Sequence, residues 1–111
     1  MEHMRNPTVV IGNADLESSE IFSTSPCKVY MICGYNSNAA QQFIQLHETK
    51  TVPAEGAVPR FSFPVGGSQF YSFVFGQVGA DFDALTVCNS TTSATKTIGA
   101  NDTSFQGILA G

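Results

Sequence analysis

The sequence predicts an all-β fold, an antiparallel two-sheet β-sandwich with an extended N-terminal arm, and three observations carry that prediction. Short apolar runs recur at roughly ten-residue intervals, the spacing of sandwich strands. Within the runs side chains alternate with a period of two, and Val, Ile, Thr, Phe and Tyr dominate. Between them stand clusters of Gly, Asn, Pro and Ser, residues that suit tight reversals. Helical periodicity is confined to residues 38–46, where a short helix is the alternative to a strand. A chain of 111 residues has room for one domain that buries about two thirds of its unfolded surface. Seven or eight short strands fit that length, and a jelly roll is among the topologies open to them.

Residues 1–25 read as an N-terminal arm or long loop, with Thr8-Val9-Val10-Ile11 as a short candidate first strand. Asp15, Glu17 and Glu20 among serines break any longer pattern. The sandwich proper is expected over residues 26–111. In Pro26-Cys27-Lys28-Val29-Tyr30-Met31-Ile32-Cys33 both faces are apolar, as in a strand inside a sheet. Gly34-Tyr35-Asn36-Ser37-Asn38 supplies turn residues, and Phe43 to His47 alternates again, so the two runs read as a hairpin. Residues 52–59 hold Pro53 and Pro59 and should lie outside the sheets. Phe61 to Val65, Gly66-Gly67 and Gln69 to Phe75 read as a second, aromatic hairpin with no charge, serving as core or contact surface. Phe82 to Cys88, Thr95 to Ile98 and Thr103 to Leu109 complete the strands.

Charge and cysteines limit the function. Charged residues make up 13% of the chain, about half the usual share, so the surface is mostly neutral and costs less to desolvate against a neighbour. With a net charge of −4 and five dispersed basic residues, a nucleic-acid partner is not expected. No apolar run reaches the roughly twenty residues that cross a bilayer, and Met1 to Val10 lacks the pattern of a secretion signal. A cytosolic origin without membrane association is the expectation. Cys27 and Cys33 sit too far apart in one strand to bond, and free thiols are expected for both and for Cys88. Cys33 and Cys88 remain candidate cross-strand neighbours.

Catalytic chemistry finds little to stand on. His47 is the one histidine inside the expected fold, since His3 falls in the arm, so no multi-histidine metal cage forms within one subunit. Cys33, Cys88 and His47 as a thiol or zinc site, and Asp81 with Asp83 as a cation or acid–base pair, are weaker readings than core cysteines and solvated carboxylates. Neither Gly66-Gly67 nor Gly76-Gln77-Val78-Gly79 leads into a helix as a phosphate loop does. No catalytic, metal or cofactor residue is therefore expected, and no enzyme. The candidate partner-binding residues are those of the arm (1–25) and Tyr35, Asn36 and Asn38 in the surface turn.

The ordered set GYNSNAAQQFIQLHET, VPAEGAVPRFSFPV, YSFVFG and VCNSTTSATKTIGANDTSF resembles a family of small proteins encoded by tailed phages and prophages. It covers residues 27–105, with Glu48 where that family's pattern has Asp. The resemblance implies a non-enzymatic virion component, a decoration or cement protein on the capsid surface, made in the bacterial cytoplasm. It also implies that the protein forms homo-oligomers, frequently trimers, and binds the major capsid protein. A tail- or fibre-associated module, or a carbohydrate- or receptor-binding sandwich using Tyr35, is the alternative.

Overall fold

The computed structural model describes residues 8–111, so His3 and the first part of the expected arm lie outside the described residues. Nine strands form: β1 (Thr8–Glu17), β2 (Ser19–Ser23), β3 (Cys27–Asn36), β4 (Gln42–His47), β5 (Phe61–Val65), β6 (Gln69–Val74), β7 (Ala80–Phe82), β8 (Leu85–Ser90) and β9 (Thr103–Ala110). A first sheet runs β1-β9-β3-β6, with β7 also paired to β3, and a second runs β2-β8-β4-β5. Every pairing is antiparallel. Helix is absent from the described residues.

The order has a simple physical origin. β1 pairs β9, β2 pairs β8, β3 pairs β6 and β4 pairs β5, so the chain is one long antiparallel hairpin rolled up into two sheets. That is the jelly roll, which joins both sheets around one core. Alternation then does the sorting. Val29 and Ile32 from β3, brought to one face by a bulge between Val29 and Met31, Ile44 and Leu46 from β4, Leu85 and Val87 from β8, and Phe105 and Leu109 from β9 all belong to the buried core.

The rolled topology corrects several sequence expectations. β3 and β4 are not a hairpin, because residues 37–41 carry the chain from the first sheet to the second. β5 and β6 are not one either, and Gly66-Gly67 is a corner between sheets. The aromatic residues explain that crossing. Phe61 and Phe63 reach inward from the second sheet, Phe73 and Phe75 from the first, and the Phe63 and Phe73 rings stack at 4.2 Å. Ring packing closes this side of the sandwich without a ladder. The two corners also touch. Ser68 N–H donates to the Asn38 carbonyl at 2.8 Å, and a Cβ at Gly67 would overlap the Ala39 carbonyl oxygen.

Residues 8–23 are not an arm. β1 lies along β9, β2 lies along β8, Ile11 packs on the core and Phe22 is 5% exposed within it. Both are edge strands, where charges such as Asp15, Glu17 and Glu20 are tolerated. The run Phe82 to Cys88 divides into β7 and β8 in different sheets, and residues 95–98 contribute one bridge, Ser90 to Ile98, rather than a strand. Cys33 and Cys88, in opposite sheets, are not cross-strand neighbours. All three cysteines are free, with Cys27 and Cys88 buried.

The second sheet's outer face is covered by the protein's own loops. Gln45, His47, Thr86 and Ser90 point away from the core yet are at most 2% exposed, because residues 48–60 and 91–97 fold over them. Gln45 Nε2 lies within bonding distance of the Thr92, Ser93 and Thr95 carbonyls, and Thr86 Oγ1 donates to the Thr49 carbonyl. Ser90 Oγ donates to the Thr92 carbonyl, and Lys96 Nζ to that of Pro53. Backbone bonds between Gly56 and Lys96 and between Lys96 and Ala57 tie the two loops to each other. Residues 52–59 thus lie outside the sheets, as the prolines predict, but as a lid.

His47 gives this lid a pH dependence. Gln45 spends its amide N–H groups on carbonyls, so its Oε1 accepts from His47 Nε2 at 3.0 Å. Burial, and then the nearby Lys96 charge, push the imidazole pKa down from 6.5 to about 4. The folded state holds His47 neutral while the unfolded chain protonates it near 6.5, so its contribution is complete above pH 6.5 and is lost as pH falls towards 4. The expected loss is at most about 3 kcal/mol. Melting temperatures of the native protein and His47→Gln between pH 7 and 4 check this. The variant should show the shallower acid slope, and parallel curves would contradict the assignment.

Candidate interaction face

The outer face of the first sheet is built in register rows, and among the described residues no loop folds over it as loops do over the second. Val10 on β1 faces Ile108 on β9, Ile108 faces Met31 on β3, and Met31 faces Val74 on β6. An apolar band thus crosses four strands. The next row is Gly12, Gln106, Cys33 and Ser72, followed by Tyr35 opposite Phe70. None of these residues is charged. Val10 is 75% exposed, Val74 71% and Phe70 84%, values far outside the habit of such side chains on a monomer's surface when they cluster. At the β7 end, Lys28 and Asp81 neutralise each other at 2.8 Å.

A cleft of about 370 Å³ opens in this face, lined by Ala14, Leu16, Cys33, Tyr35, Phe70 and Gln106 among others. The Tyr35 and Phe70 rings meet at 4.6 Å with planes tilted by 49°. Beneath them Tyr35 N–H donates to Ser104 Oγ at 2.9 Å, and the buried Tyr71 hydroxyl donates to the Ser104 carbonyl at 2.7 Å. Burial raises the pKa of the Cys33 thiol, keeping it protonated at neutral pH.

Of the three turn candidates, Tyr35 alone lies on this face. Asn36 is 0% exposed, which corrects its placement on a surface turn. Its Nδ2 donates to the Ala40 and Gly66 carbonyls, and its Oδ1 accepts from Gln42 Nε2 at 2.8 Å. Asn38 is half-buried and holds the corner, donating to Asp102 Oδ2 at 2.9 Å while its Oδ1 accepts the Ala40 N–H. Asp102 is the hub of this corner: its Oδ1 also accepts from Gln42 Nε2 at 2.9 Å and Asn89 Nδ2 at 3.0 Å. Gln42 Oε1 and Asn89 Oδ1 have no hydrogen-bond partner among the described residues and lie over Gly99, where a Cβ would overlap the Asn89 oxygen. The network fastens β3, β4, β8 and β9 at one end of the sandwich. It is scaffold, and the spacing of Asn36, Gln42, Asn89 and Asp102 along the chain gives no local sign of it.

The other candidates scatter. Cys33 faces outward from the first sheet, whereas Cys88 and His47 lie under the lid of the second, so the three do not converge. Asp81 is tied to Lys28, and its carbonyl accepts from Arg60. Asp83 donates its backbone N–H to Glu48 Oε2 at 2.8 Å. Both line a second groove of about 350 Å³ with Pro26, Lys28 and Tyr30. Among the described residues no group of three or more His, Cys, Asp or Glu side chains is placed to hold a metal. From the first 25 residues, candidates as an arm, Val10, Ala14 and Leu16 contribute to the apolar face as parts of β1 instead.

No protein-family model matches the chain. No curated protein matches it either. Among solved structures it is similar to the coat protein of Tobacco streak virus, at 9% sequence identity over 96% of this chain and 85% of that one, with a TM-score of 0.45. Similarity at that level establishes neither a shared topology nor a shared function.

Proposed function

We propose that this chain is a structural protein of a tailed-phage virion, a decoration or cement protein that binds the major capsid protein shell and acts by packing rather than catalysis. The observation that carries the reading is the outer face of the first sheet, whose central rows hold no charge across four strands and which no described loop covers, on a domain whose other face lies under its own loops. Exposed apolar area of this extent marks an association surface. The phage-like order of segments across residues 27–105 supplies the setting. Association spread over many weak apolar contacts suits a protein present in many copies on a repeating shell.

Mixing undecorated capsids with the purified protein and measuring sedimented copies per particle tests this. Saturable binding in fixed ratio to the shell subunit, with capsids more resistant to heat, is the expected result. No binding to capsids, together with a few copies recovered from tails, would overturn it in favour of a tail or receptor-binding role.

A further inference from the structure

We infer that the uncovered face of the first sheet takes a second copy of this chain, the two faces packing together with Phe70 of each copy entering the cleft of the other. This deepens the proposed function, on which it rests for the biological setting alone: in free solution a second copy occupies the face that the shell would otherwise cover, so the two compete for it. Three features point to a copy. The chain carries a net charge of −4, and two like-charged molecules meet at least cost where neither presents a charge, as in the rows through Val10, Ile108, Met31 and Val74. A two-fold contact also requires one patch to hold both a projection and its receptacle. Phe70, 84% exposed, itself helps to line the cleft of about 370 Å³, with Leu16, Cys33 and Gln106, so projection and receptacle share one face.

The third feature is size. Four strands about 4.8 Å apart, each about six residues long at 3.4 Å per residue and so presenting about three side chains to the face, span roughly 400 Å² in projection. Side-chain relief raises the accessible area above that, towards the ~800 Å² that one partner contributes to a standard interface. Two such sheets packed about 10 Å apart would repeat between copies the arrangement that forms the core within each. The contact is two-fold, so the unit in free solution is a dimer rather than the trimer that the phage resemblance implies.

Sedimentation velocity and light scattering over a range of concentrations, on the native protein, Phe70→Glu and Ser72→Glu, test the inference. Both side chains are exposed, so the variants should keep the native fold, read as an unchanged far-ultraviolet circular dichroism spectrum. The native protein should rise from the 11.8 kDa monomer to twice that mass, and each variant should associate more weakly by roughly tenfold or more. A native protein that stays monomeric at high micromolar concentration would overturn the inference, as would variants that dimerise like it. Capsid binding separates the two claims. If the native protein is monomeric and Phe70→Glu loses its place on capsids, the shell and not a second copy covers the face, and the proposed function stands. If the protein dimerises through this face yet ignores capsids, the inference stands and the proposed function fails.

Discussion

A chain lacking residues 1–20 should not fold cooperatively. The truncation removes all of β1 and the first part of β2, and with them the ladders to β9 and β8. β9 would become an edge strand, exposing Phe105 and Leu109 that are now 0% and 3% accessible. Phe22 would remain on a stub with little left to hold it in the core. A domain of this size has only about 5–15 kcal/mol of net stability, and losing one whole edge of both sheets exceeds it. Far-ultraviolet circular dichroism with a thermal scan reads the outcome, a flat melt and aggregation. An arm, by contrast, would be dispensable, and a native-like melt from the truncated chain would contradict the placement of β1 and β2.

Replacing Asp102 by Ala should cost about 2–4 kcal/mol, an effect far above that of an ordinary surface change. The carboxylate accepts from Asn38, Gln42 and Asn89, and the latter two are buried. Partial compensation sets the upper limit, since Gln42 also donates to Asn36, and Asn89 also donates to the Ala100 carbonyl. For about a hundred residues this corresponds to a melting temperature lower by roughly 10 °C or more. Asp102→Asn keeps one acceptor oxygen and should fall between. A change within about 0.5 kcal/mol for Asp102→Ala would show that the corner does not depend on the hub.

These two positions also show what the sequence could and could not reveal. Strands are local, and the alternation in residues 29–33, 43–47 and 61–75 located them well. Pairing is not local. A short Gly- and Asn-rich link turns back within a sheet or steps between sheets with the same residues, and the choice at 37–41 and 66–68 is made by packing such as Phe63 on Phe73. Polar residues alternating with Ile44 and Leu46 read as a wet face, yet Gln45 and His47 lie under loops, Gln45 binding the loop carbonyls and His47 binding Gln45, contacts no strand pattern encodes. Acidic residues hid β1 and β2 because edge strands tolerate charge. The interaction face was half visible. The lack of charge from Phe61 to Ala80 announced core or contact surface, and the structure makes it both: Phe73 turns inward, while Phe70 and Val74 face out. The rows that join Val10 and Ile108 to Val74 needed the register of four strands.

Alkylation of Cys33 as protein concentration rises tests most directly whether this face is where the protein meets its partner. Cys33 lies in the middle of the face, between Gln106 and Ser72, while Cys27 and Cys88 are buried and serve as internal references for unfolding. The modification rate of Cys33, read by peptide mass, should fall as dimers form, with the other two thiols unchanged. It should stay constant in Phe70→Glu. A Cys33 rate independent of concentration, in native protein shown by light scattering to be associated, would place the contact elsewhere and contradict the account.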